Sequence, residues 1–104
     1  MKDRLSGRVL AAARVLVGIS RADLARAAGL DADQIRLLEA GGSALVPPAD
    51  AERLQPALED FGAIFLAESD GMGAGVRLKF TRQDVRQLTR LEGEGGLIGS
   101  DDVP

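Results

Sequence analysis

The sequence predicts a mainly α-helical fold, a bundle of four to five helices followed by a β-hairpin and a further C-terminal helix. Three patterns in the 104 residues support this fold class. Apolar residues recur every three to four positions up to residue 61, the period of helices that bury one face. Between residues 63 and 80 the period shortens to two, as in strands. Serine or threonine in front and glycine behind separate the segments, as expected for capped helices.

The outer helices of the bundle are expected from their apolar periodicity. A first helix is expected over residues 4–17, with a core face of Leu5, Val9, Ala12 or Ala13, and Leu16. A later helix is expected to begin near Asp50, with a core face of Leu54, Leu58 and Phe61. Pro56 removes one backbone donor inside it, so this helix either kinks or restarts with Pro56 in its first turn.

Between these helices, two shorter ones are expected to meet at Gly29. Ser20 can cap the first, because its hydroxyl can accept a hydrogen bond from a first-turn amide. Gly29 can end that helix in a left-handed conformation without steric cost. Asp31 is then expected to cap the second helix, which buries Ile35 and Leu38. At 100° per residue, the outward face of this second helix consists of Asp33, Arg36, Leu37 and Ala40.

The spacing of small and apolar residues across this helix pair forms a motif of moderate specificity. The residues that define it are Ala25, Gly29, Ile35, Leu38, Glu39 and Gly41. This arrangement resembles the helix-turn-helix of the Cro and phage-repressor (XRE) family of DNA-binding regulators, over about the first 60 residues. The resemblance implies that the second helix of the pair, about residues 32–40, lies in the major groove of double-stranded DNA while the first crosses the backbone.

The resemblance also implies roles for individual residues. Arg21 would contact a DNA phosphate, and Ser43 would be a further donor in the loop after the motif. The residues nearest to the base edges would be Ala32, Asp33, Arg36 and Leu37. Arg14 and Glu39 match a family ion pair that lies beneath the motif.

The four residues at the base edges allow several contacts. Asp33 can accept a hydrogen bond from cytosine N4, and Ala32 or Leu37 can contact a thymine methyl group. Arg36 can reach guanine or a phosphate, or it can instead pair with Asp33 at a spacing of i, i+3.

Two departures from the family pattern support an alternative function. The family commonly has polar or basic residues where this chain has Ala32 and Leu37, and Asp33 adds a negative charge. The alternative is a degenerate helix-turn-helix that serves as a protein-interaction module and modulates another regulator or RNA polymerase.

Charge and composition narrow the function classes. Residues 1–46 carry seven Lys/Arg against five Asp/Glu, and residues 47–104 carry six against eleven, which gives +2 and −5. The weak basic excess around the motif implies few phosphate contacts per subunit, so two subunits on one site are expected. Cysteine and histidine are absent, which excludes disulfides and Cys/His zinc sites. No nucleophile is paired with a base, so we expect neither an enzyme nor a cofactor or metal.

The expected hairpin joins two different kinds of strand. Residues 63–67 are apolar on both faces, whereas Val76, Leu78 and Phe80 alternate with Arg77 and Lys79. The linker of residues 68–75 is glycine-rich and expected to reverse the chain. Similarity to short XRE-like regulators with such a hairpin implies a homodimer, with core and interface formed by Ile64, Phe65, Leu66, Val76, Leu78 and Phe80.

Three regions follow from these patterns: a DNA-binding domain at 1–61, a dimerisation hairpin with a helix at 62–91, and a flexible tail at 92–104. Thr81 is expected to cap the last helix, whose stripe of Arg82, Arg86 and Arg90 is a solvated face or a contact for phosphate or RNA polymerase. The acidic tail contains Leu97-Ile98 as a docking patch. The longest apolar run, residues 9–17, contains Arg14, so we expect a cytoplasmic protein with no membrane partner.

Overall fold

Four helices and one β-hairpin make up residues 5–81, the part of the chain that the computed structural model describes. The elements are α1 (Gly7–Val17), α2 (Arg21–Ala28), α3 (Ala32–Ala40), α4 (Pro48–Asp60), β1 (Ala63–Leu66) and β2 (Gly75–Leu78). The mainly α-helical class with an antiparallel hairpin is confirmed. The expected C-terminal helix, its arginine stripe and the acidic tail of residues 92–104 lie outside the described residues.

One apolar core unites the helices with the hairpin. Its largest fully buried side chains are Leu10, Leu24, Ile35, Leu54 and Leu58, so each of the four helices contributes at least one. Ala63 of β1 is buried in the same cluster, and Phe65 and Val76 pack against it. The boundary expected at residue 62 therefore does not separate two cores within residues 5–81.

Helix α1 begins later than the predicted residue 4, and its predicted core face is only partly right: Val9 and the alternative Ala13 pack in the core. Ser6 caps it, because the Ser6 Oγ accepts a hydrogen bond of 3.1 Å from the Val9 amide. Leu5 is buried but precedes the helix, so a face counted from Leu5 is rotated away from the true one. The buried positions of α1 are Gly7, Leu10 and Ala13, whereas Ala12 and Leu16 are exposed.

The first turn of α1 is held against the loop that follows α3. The amides of Gly7 and Arg8 donate to the carbonyls of Ala44 and Gly42 at 3.0 and 2.8 Å. A Cβ on Gly7 would overlap the carbonyl oxygen of Leu38. Glycine at position 7 therefore lets α1 approach the backbone of α3.

Helix α4 is continuous from Pro48 to Asp60 and does not restart at Pro56. Pro48 occupies the first turn, where a missing amide costs nothing. Pro56 is exposed, so its ring leaves the core face intact. The predicted inward position of Phe61 is wrong: it lies beyond the helix end with 41% of its surface exposed, and Ala51 and Ala57 are buried instead.

The hairpin pairs β1 with β2 in an antiparallel register. The partners are Ala63 with Leu78, Ile64 with Arg77, Phe65 with Val76, and Leu66 with Gly75. Strand β1 ends at Leu66, one residue before the predicted end, and Phe80 lies beyond β2 with its ring against Gly62.

The chain reverses in a tight turn inside the segment that was expected to be a flexible linker. The backbone amides and carbonyls of Ser69 and Met72 exchange hydrogen bonds of 3.1 and 2.8 Å. Asp70 and Gly71 between them have φ values of 50° and 75°. Positive φ at both central residues is the type I′ geometry that Asp-Gly favours in hairpins, so the dipeptide at 70–71 is the signal for this turn.

Replacing Gly7 with alanine is expected to lower the free energy of unfolding by roughly 1–3 kcal/mol, as overpacked sites do. The added methyl group must displace the backbone of Leu38, which costs more than the alanine gains in helix propensity. Urea unfolding measures the change. Gly73→Ala is the matched control, because a Cβ at that position meets open space. An unchanged midpoint for Gly7→Ala would contradict the close approach of α1 and α3.

Candidate nucleic-acid interface

Helices α2 and α3 form the pair that the sequence predicted, joined at Gly29. The Ser20 Oγ accepts a hydrogen bond of 3.0 Å from the Asp23 amide and so caps α2. Gly29 ends α2 with a φ of 72°, in the left-handed region. Asp31 occupies the position before α3, but its side chain makes no capping hydrogen bond, so its predicted role as a side-chain cap is wrong.

Small side chains bring the two helices close together. Leu24, Ala25 and Ala28 of α2 are buried, and Ile35 of α3 is fully buried. Alanine at the crossing lets the helix axes approach, since it projects only a methyl group. The inward and outward faces of α3 are consequently fixed by the packing of α2.

The outward face of α3 is exposed over the predicted residues Asp33, Arg36, Leu37 and Ala40. Leu37 stands out, because 59% of this apolar residue is accessible. Ala32 is half-buried and packs against the core, so only part of it is exposed beside this surface. Ser43 is exposed in the loop after α3. We call Asp33, Arg36, Leu37 and Ala40 the α3 outer face.

A buried carboxylate joins α1, α2 and α3. Glu39 accepts hydrogen bonds from the Arg14 Nε at 2.6 Å and the Arg14 Nη2 at 3.2 Å. Its Oε1 also accepts one from the Arg21 Nε at 2.9 Å. Arg14 additionally donates to the Ile19 carbonyl at 3.1 Å. Only 5% of the Glu39 side chain is exposed. The structure thus brings Arg14 and Glu39 together, and adds Arg21 to them.

This environment sets the charge of Glu39. Burial would raise its pKa, but hydrogen bonds and charge attraction from Arg14 and Arg21 outweigh burial, and the net pKa is lowered. Glu39 is therefore ionised at neutral pH. Two arginines and one carboxylate leave the cluster with a single positive charge.

The Arg21 contact with Glu39 does not follow from the sequence pattern. The two residues are 18 positions apart and meet only because α2 crosses α3. The resemblance predicts a phosphate contact for Arg21. Its side chain remains 43% exposed, so it lies both in the cluster and at the surface.

Two further ion pairs lie on the surface of the helix pair. The Arg36 Nε and Nη2 both donate to the Asp33 Oδ1, at 3.1 and 2.8 Å, which is the i, i+3 pairing considered from sequence. The Arg26 Nη2 donates to the Asp23 Oδ1 at 2.6 Å. Within residues 5–81, the cations without an ion pair are Arg8, Arg53, Arg77 and Lys79. Of these, Arg53 lies beside the turn between α2 and α3, where a Cβ on Gly29 would stand 3.1 Å from its Nη1.

Residues 5–81 contain no group of three or more Asp and Glu side chains placed to hold a metal ion. None of the four helices is long and apolar enough to cross a membrane.

Comparison with known proteins adds no family assignment. No protein-family model matches this chain, and no curated protein is significantly similar to it in sequence.

Glu39→Ala is expected to lower the free energy of unfolding by about 3–5 kcal/mol, because it leaves the buried guanidinium of Arg14 without its partner. Chemical denaturation measures the loss. Asp23→Ala is the matched control, since it breaks an ion pair whose side chains are 72% and 49% exposed and should cost less than about 1 kcal/mol. A loss as small as the control's for Glu39→Ala would show that the cluster is solvated.

The contribution of Glu39 is expected to depend on pH. A carboxyl group with a lowered pKa stabilises the fold fully above its unfolded pKa, about 4.3, and loses this contribution as pH falls through the folded pKa. The stability difference between the wild type and Glu39→Gln should therefore stay constant near neutral pH and shrink in acid. Urea unfolding of both proteins from pH 7 to pH 3 tests this. A difference that persists unchanged at the acid end would contradict the lowered pKa.

Proposed function

We propose that this chain is a sequence-specific DNA-binding transcription regulator that acts as a homodimer, with α3 (Ala32–Ala40) in the major groove. The observation that carries the proposal is the exposed α3 outer face on a helix that is fixed from below by Glu39. A helix held in this way loses little conformational freedom when it binds, which favours its use for recognition.

The phosphate contact of this proposal belongs to Arg21. Within residues 5–81, the Arg21 guanidinium bonds to Glu39 through its Nε and not through its terminal nitrogens. Arg21 is the first residue of α2, and 43% of its side chain is exposed. The terminal guanidinium nitrogens can then donate to a DNA phosphate while Nε keeps its bond. Ser43, exposed after α3, supplies a second donor to the backbone.

The homodimer is proposed to form through the outer side of the hairpin. Ile64 and Leu66 are 41% and 45% exposed, and both point away from the core. Phe65, Val76, Leu78 and Phe80 are half-buried, so they support this surface from within. An apolar edge strand that stays uncovered is a site for association. A dimer also has twice as many phosphate contacts as one subunit, which compensates for the small number expected from each subunit.

A second candidate function is a protein-interaction module that binds another regulator or RNA polymerase. The observation that favours it is the surface of the helix pair, where Arg21, Arg26 and Arg36 each contact a carboxylate. Leu37 then offers an apolar contact in the middle of the α3 outer face.

Selection from a pool of randomised DNA duplexes separates the two functions. The full-length protein should enrich a short inverted repeat, and its affinity for that repeat should fall as salt rises, because bound phosphates release counterions. No enrichment at low salt, together with stable binding to purified RNA polymerase or a purified regulator, would overturn the DNA-binding function in favour of the interaction module.

Leu66→Glu is expected to convert the dimer to a monomer, because it places two carboxylates in the proposed interface. The side chain is exposed in the single subunit, so the fold should be retained. Sedimentation equilibrium measures the association state, and circular dichroism measures the fold. Val15→Glu is the control, an equally drastic change at a 65% exposed residue of α1. A Leu66→Glu protein that dimerises like the wild type would contradict the hairpin interface.

A further inference from the structure

We propose that Asp33 and Arg36 together read one C·G base pair, and that Leu37 reads a thymine methyl group within about two base pairs of it. This inference rests on the proposed function, because it requires α3 in the major groove. It assigns a base composition to the recognised half-site.

The Asp33–Arg36 pair leaves one carboxylate oxygen and three guanidinium N–H groups without a hydrogen-bond partner among residues 5–81. The Arg36 Nε and Nη2 both donate to the same carboxylate oxygen, Oδ1. No described residue bonds to the Asp33 Oδ2 or to the Arg36 Nη1. The major-groove edge of a C·G pair presents the complementary groups, a donor at cytosine N4 beside the acceptors O6 and N7 of guanine. The ion pair therefore matches both bases of one pair.

Charge favours a base over a phosphate as the target of Arg36. Asp33 lies 2.8 Å from the Arg36 Nη2, and its side chain is 70% exposed. A phosphate contact by Arg36 would bring this carboxylate close to the same phosphate, and like charges repel. At a base edge the arginine instead neutralises the carboxylate as it enters the groove.

Leu37 supplies the apolar part of the same surface. It follows Arg36 directly on the α3 outer face, and 59% of it is exposed. The thymine methyl group is the apolar feature of the major groove. Four residues of helix span about 6 Å from Asp33 to Leu37, and base pairs are about 3.4 Å apart, so the two contacts fall within about two base pairs.

The first test uses the site that the wild-type protein enriches from randomised duplexes. Each half-site is expected to contain a C·G pair with thymine one or two positions away. Synthesis of that site with uracil in place of the thymine removes only the methyl group. We expect affinity to fall by about fourfold for the wild type, the change that corresponds to one buried methyl group, and not at all for Leu37→Ala. Val15→Ala, which alters another exposed apolar residue, should respond to uracil like the wild type.

The second test compares Asp33→Ala and Arg36→Ala on duplexes that differ only at the C·G pair. Both variants should lose most of the preference for C·G, which in the wild type is expected to be about fivefold or more. If Asp33→Ala strengthens binding to every duplex and keeps the preference, Asp33 only repels DNA and the inference is wrong. If Arg36→Ala weakens every duplex equally and lowers the salt slope by about one, Arg36 contacts a phosphate and the inference is wrong.

The results also separate this inference from the proposed function. An enriched inverted repeat that lacks the C·G pair or the neighbouring thymine overturns the base assignment and leaves the DNA-binding function standing. Failure to enrich any sequence overturns both.

Discussion

The buried carboxylate of Glu39 is the constraint on which the helix pair depends. It sits near the end of α3, yet its two oxygens hold arginines from α1 and α2 at 2.6 and 2.9 Å. A carboxylate whose side chain is 5% exposed is tolerated only while these partners remain. Together with the packing of Ile35 against α2, this carboxylate holds the orientation of α3 and so of the α3 outer face.

Local signals in the sequence are sufficient to predict the bounds of a helix whose own sequence contains its capping residues. Ser20 and Gly29 define α2 because a hydroxyl and a missing Cβ act on the residues beside them. The position of Ile35 then predicts the outward face of α3. By contrast, the start of α1 is ambiguous in the sequence. The apolar pattern includes Leu5 in the helix, whereas the structure shows that Ser6 is the N-cap and that Leu5 is buried before the helix begins. Phe61 was misplaced because periodicity does not show where α4 stops.

The candidate site was less predictable than the fold, because its electrostatics depend on contacts between elements. From the sequence, Arg36 can contact a base, a phosphate or Asp33. The structure shows the contact with Asp33. Arg21 meets Glu39 across 18 positions. The charge count around the motif shows a small positive excess, and the structure adds that Arg21, Arg26 and Arg36 each contact a carboxylate of α2 or α3.

The contact between the first turn of α1 and the loop after α3 has a consequence for how the chain folds. The amide of Gly7 bonds to the carbonyl of Ala44, so these residues meet only after the intervening helices have compacted. The turn at Asp70-Gly71, in contrast, closes over four residues. A contact between residues that are distant in sequence requires a larger loss of chain entropy to close the loop between them. Such a contact therefore forms more slowly than a local one. The hairpin turn is thus set to form early, and the docking of the amino-terminal turn to be the step that completes the bundle.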